Sequence, residues 1–352
     1  MSTTSALLAD LEAMPASRRG LALRNGRRFH TASLCEEMAR RSFAARFSAS
    51  AEMVAWAEAA ALVASALPAG VAEADAAATA WANLGNARRI QGRLREADNA
   101  LKRARQAMAT GTGSSDLEDH VDSLEGTLRV YQRRFREALE ILGGLAARRG
   151  RRGDTLGQAR ALQQIGSALL YGERPEEAAG LLVEALRALQ VVPNLELERL
   201  ATCALVYAYL RAGQPEWAES LWSRSDLYMR GAALLTRMRW WWVRGLIDLA
   251  TGFAGPALAK IRQAREVFAA EGQRFDAALT TLDLVLCLVR LEELGSARVE
   301  LEAALILLLE IGAPRETLVA VRGLLDLEDR KLTVQRISAT ARRVRLYGYR
   351  LS

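Results

Sequence analysis

Apolar residues recur along this chain three and four positions apart and seldom alternate with polar ones. Leu94, Ala97, Leu101 and Ala104 show the pattern, as do Ala178, Leu182 and Ala185, and Ala257, Ile261 and Ala264. Such spacing lines one face of an α-helix, so the chain is expected to be all-α with almost no sheet. On a longer scale an alanine returns at Ala57, Ala97, Ala138, Ala178, Ala218, Ala257 and Ala297, in steps of 39 to 41 residues. That period predicts tandem helical hairpins, each alanine opening a second helix, with the extra length taken up by longer helices or by a longer loop after the second helix. Short helices are expected over residues 5–14 and 17–24 before the first hairpin (31–67), and over 314–329 and 332–346 after the last. Residues 109–119 read as a flexible loop and the basic run 148–153 as an exit loop.

The clearest hairpin is 81–104, WANLGNARRIQGRLREADNALKRA. Trp81, Leu84-Gly85, the turn glycine Gly92, and then Ala97, Leu101 and Ala104 fall at the spacing of a tetratricopeptide (TPR) repeat. Over residues 31–305 the chain resembles that family, with a period longer than the usual ~34. The resemblance implies a TPR-like α-α superhelix (solenoid) of about seven hairpins. Residues 1–30 would cap it at the N-terminus, and 306–352 would form C-terminal capping helices with a basic tail. It also implies a non-catalytic scaffold that binds a protein or peptide in a concave groove lined by first helices. Carried onto this chain, the groove positions are Asn86, Arg89, Tyr131, Arg160, Gln163, Tyr207, Arg239 and Trp242, with Cys203 on a first helix as well. Arginines and amides there suit a peptide backbone or carboxylate, and tyrosine and tryptophan suit rigid anchoring. Asn86 matches the asparagine of carboxylate-clamp TPRs, but Ala82 stands where the clamp lysine would be. Of the three consecutive tryptophans, Trp241 takes the core position of the repeat. Trp240 and Trp242 point about 100° to either side of it, so one of them must reach the groove or a neighbouring hairpin. Packing of the C-terminal helices into the groove is the competing expectation.

Composition narrows the picture. At 51% hydrophobic and 25% charged, the chain can bury a large core. Three cysteines far apart argue against a disulfide framework or zinc knuckle and for a reducing compartment. The alanine, arginine and leucine bias suits a bacterial cytoplasmic protein. The net charge of +7 lies unevenly: residues 330–352 carry seven basic side chains and no acid.

Two histidines, His30 and His120, stand about 90 residues apart, and no nucleophile, phosphate-loop or metal-ligand motif accompanies them. No enzyme, cofactor or metal is expected. Two clusters could meet nucleic acid: Arg148, Arg149, Arg151 and Arg152, and in the tail Arg342, Arg343 and Arg345 with Tyr347 and Tyr349. The alternative function is therefore a sensing subunit of a bacterial transcriptional or defence system. Val334, Ile337, Ala341 and Val344 would alternatively make the tail an amphipathic capping helix with an arginine-rich outer face. Open solenoid ends would also permit homo-oligomerisation.

Overall fold

The structure, a computed structural model, describes residues 3–46, 50–313, 315–326 and 333–347. Among them are eighteen α-helices and no strand. The chain divides into two compact units, Met1–Leu128 and Arg129–Ser352.

The first unit opens with α1 (Thr3–Ala13) and α2 (Ala16–Asn25). Two hairpins follow, α3 (Ala32–Ala45) with α4 (Ser50–Ala64) and α5 (Val71–Ile90) with α6 (Leu94–Met108), and then most of α7 (Ser115–Tyr131). Leu8, Leu11, Leu23, Phe29, Leu34, Met38 and Val63 form its main core. The second unit takes the end of α7 and α8 (Phe135–Arg151). It continues with α9 (Thr155–Tyr171), α10 (Pro175–Val191), α11 (Leu195–Arg211), α12 (Pro215–Met229), α13 (Leu234–Ala250), α14 (Ala254–Ala270), α15 (Arg274–Arg290) and α16 (Leu294–Glu310). It closes with α17 (Arg315–Leu325) and α18 (Val334–Tyr347). Leu142, Ile165, Leu182 and Leu205 anchor one part of its core, and Val206, Trp240, Val243 and Ile247 another.

The period of about forty resolves into two helices of mostly 17 residues, most of them followed by a three-residue turn. The extra length thus sits inside the helices, the first of the two expected places, and not in a longer loop after the second helix. The middle turn residue has positive φ: Gly92, Gly213 and Gly252 within hairpins, and Gly153 and Gly272 between them. Arg133, Glu173 and Glu292 occupy the same place without being glycine, at φ 60, 59 and 61. The residue after each donates its amide back over five residues, as from Arg174 to the Leu169 carbonyl at 2.9 Å. This closes the helix end in a Schellman-type turn.

The alanine ruler marks the fourth residue of α6, α8, α10, α12, α14 and α16, and every one is fully buried. Ala57 is equally buried but lies midway along α4, so the first hairpin has a different register. Opposite these alanines the first helices also carry small residues. A Cβ added to Gly85 would come within 3.0 Å of Leu101 Cγ, at Gly166 within 2.7 Å of Leu182 Cγ, and at Gly245 within 2.6 Å of Ile261 Cγ1.

Other boundaries differ from expectation. Residues 115–119 begin α7, so the loop spans only 109–114. Arg148, Arg149 and Arg151 form the last turn of α8, where cations face the negative end of the helix dipole. Trp241 is half-buried, while Trp240 and Trp242 are buried. The repeat's signature tryptophan covers its hairpin from the side: the Arg103 guanidinium lies 4.6 Å from the Trp81 ring and the Lys260 ammonium 5.6 Å from the Trp241 ring. Residues 327–332, with Tyr349 and Arg350, lie outside the described residues, as does the side chain of Tyr347.

Cys35, Cys203 and Cys287 are buried, and desolvation pushes each thiol up to about 12. Native protein at about pH 8 should resist iodoacetamide at all three until it is unfolded. Adduct masses by mass spectrometry check this, and rapid labelling of Cys203 in the native state would place it on an open surface instead.

Candidate functional site

The predicted groove residues fall into both units. In the first, Asn86 is buried on α5, and its Oδ1 accepts from Arg89 Nε at 3.2 Å and Nη2 at 2.8 Å. One turn earlier, Asn83 donates to the Ala39 carbonyl at 2.8 Å, and its Oδ1 lies 3.0 Å from His120 Nε2. The His120 ring meets Phe43 edge-on at 5.2 Å. His30 is held by the Leu23 carbonyl at 3.0 Å. His120 thus links α7 to α5, and His30 ties the segment before α3 back to α2.

In the second unit, first helices bring polar and aromatic side chains from distant hairpins together. Tyr131 ends α7, Tyr171 ends α9 and Phe275 starts α15, with ring centroids 5.5 to 6.4 Å apart. The Arg133 guanidinium stands 4.4 Å from the Phe275 centroid and 5.1 Å from that of Tyr171. Beside them Arg239 Nη2 donates to Asp276 Oδ2 at 2.7 Å, and Asp276 is only 3% exposed. Burial opposes the charge of Arg239, but Asp276 and the neighbouring phenols more than offset it and raise its pKa. Burial, reinforced by Asp276, raises the Tyr171 phenol well above its usual range. Cys203, expected on the inward side, is buried close by.

A second cluster follows. Tyr207 on α11 lies 6.1 Å from Trp242 on α13, and Trp242 Nε1 donates to Asp283 Oδ2 on α15 at 3.0 Å. Trp242 is 7% exposed, so the expected free anchor is engaged by the chain itself. The other Asp283 oxygen accepts from Arg345 Nη2 of α18 at 3.2 Å; Asp283 is 2% and Arg345 4% exposed. Burial raises the Asp283 carboxyl despite Arg345. Glu173, in its left-handed turn, pairs with Arg211 and lies 3.5 Å from Arg342 Nε.

Arg345 therefore does not belong to an arginine-rich outer face. Ile337, Ala341 and Val344 place it on the seated side of α18, and Asp283 supplies the opposite charge there. Arg342 and Arg343 remain exposed, as do Arg151 and Arg152, on a different helix end. Arg160 is half-buried; burial and the nearby Arg149 lower its pKa. Gln163 donates to Ser167 Oγ at 3.0 Å on its own helix. Sequence reasoning did not single out Asp276, Asp283, Glu173 or Phe275. Two acids about two turns apart on a largely apolar α15 were the available signal.

Among the described residues no group of three His, Cys, Asp or Glu side chains could hold a metal, and no helix is long and apolar enough to cross a membrane. No family model matches the chain, and no curated protein matches it. Among solved structures, the chain is similar to the crystal structure of a Rap protein complexed with Competence and Sporulation Factor. The TM-score is 0.65 at 9% identity, covering 88% of this chain and 86% of that one. The likeness is one of fold: this is a TPR-like, all-α helical-repeat protein.

Proposed function

We propose that the protein is a non-catalytic scaffold that binds a protein or peptide segment on the first-helix face of its second unit. The observation that carries this reading is the convergence of Tyr131, Tyr171, Tyr207, Arg239, Trp242, Asp276 and Asp283 from α7, α9, α11, α13 and α15. Rigid aromatics beside hydrogen-bonding charges are the side chains that dominate recognition surfaces. The solved structure of similar fold, seen with a bound factor, supports the same use of the fold. The face already receives one helix, α18 of the chain itself.

A random peptide library displayed on phage and selected against the full chain tests this. Enriched peptides should bind, and Tyr207→Ala should weaken them by about ten-fold or more, as losing an aromatic anchor of ~1.4 kcal/mol or more does. Peptides bound equally well by the Tyr207→Ala and Tyr131→Ala proteins would place the binding surface elsewhere.

A further inference from the structure

Resting on that reading, we propose that Asp283 and Glu173, flanked by Tyr207 and Trp242, form a recognition site for an arginine side chain of a partner peptide. In the free chain, Arg345 of α18 occupies it as an intramolecular stand-in.

The chemistry of the site selects a guanidinium. Asp283 offers one oxygen while Trp242 holds the other, and nearby Glu173, paired with Arg211 and 3.5 Å from Arg342 Nε, adds a second carboxylate. Carboxylates accept the planar fork of arginine in directed pairs, and adjacent aromatic rings favour the same cation. The cation now present comes from the most basic stretch of the chain, the 23 residues that carry its entire net charge.

The fit of the stand-in is incomplete. Arg345 Nε and Glu173 Oε1 are both buried without a hydrogen-bond partner. Buried polar groups are nearly always satisfied, so a donor left over on Arg345 and an acceptor left over on the nearby Glu173 mark a seat that another ligand can complete. A buried ion pair also adds little net stability, because desolvating two charges cancels most of their attraction. Displacing Arg345 by an arginine that pairs better is therefore a near-even exchange. The apolar seat of Ile337, Ala341 and Val344 supplies the rest of the hold on α18.

The test uses full-length protein and a fluorescein-labelled peptide with the sequence of residues 333–347, read by fluorescence anisotropy. Arg345→Ala should loosen α18 and open the site, so this chain should bind the peptide at least ten-fold more tightly than wild type. A peptide with citrulline in place of the arginine at 345, equal in shape but uncharged, should lose that gain. If Arg345→Ala does not fold, as judged by circular dichroism, Arg342→Ala releases α18 from Glu173 at an exposed position and should give a smaller gain. Equal affinity of wild type and the folded variant, including no binding by either, overturns the proposal. So does equal binding of the arginine and citrulline peptides. If library peptides still bind the face through Tyr207 while the arginine peptide does not, the arginine site falls and the binding face stands.

Discussion

Leu182→Ala should lower stability by about 2–5 kcal/mol, among the largest losses expected from one side chain here. Leu182 is fully buried on α10 and fills the space above Gly166 on α9. Removing its branch leaves a cavity between two helices held side by side by the closed turn at 172–174. The reverse error should also be costly: Gly166→Leu forces atoms into a gap where even a Cβ would sit 2.7 Å from Leu182 Cγ, a loss of about 1–3 kcal/mol or more. Because the two residues share one space, Gly166→Ala combined with Leu182→Ala should cost less than the sum of the two single changes. Urea unfolding of all four proteins gives the coupling. Strict additivity would show that α9 and α10 do not approach at these positions. The same reasoning applies to Gly85 with Leu101 and Gly245 with Ile261.

Arg239→Met should cost a comparable amount, about 3–5 kcal/mol, because it strands Asp276 as an uncompensated charge in the interior. The loss comes from the partner left behind more than from the attraction removed. Arg239→Met together with Asp276→Leu should therefore recover most of it, since apolar groups of similar volume replace the pair. A double variant no more stable than Arg239→Met alone would mean that Arg239 matters through its stacking over Phe268, 5.8 Å from the ring centroid, and not through Asp276.

The hairpins were legible in the sequence because close helix packing demands a small residue at the same place in every repeat. Ala97 to Ala297 satisfy that demand at one steric position, so they act as a ruler. The tryptophans were harder. Trp240, Trp241 and Trp242 are chemically equivalent, and only the lie of α13 against α12 and α15 decides which are buried. Arg345 was misread because an arginine-rich helix has an outward default, which a single buried carboxylate 62 residues earlier in the chain overrides. The meeting of Tyr131 with Phe275 depends on how many hairpins it takes for first helices to face one another, and local spacing carries no information on that. Glu173 hid for another reason: glutamate rarely occupies a left-handed turn, so nothing marked it as equivalent to Gly213.

Those long-range meetings within the second unit bear on how it comes apart. A repeat stack held only by neighbours frays from its ends, one hairpin at a time. Here the end of α7 touches the start of α15, and α18 reaches back to Asp283 and to the turn after α9. Opening the hairpins that carry α7, α9 or α15 therefore breaks contacts with elements far along the chain. The stack becomes a closed circuit, and its melting becomes concerted instead of sequential.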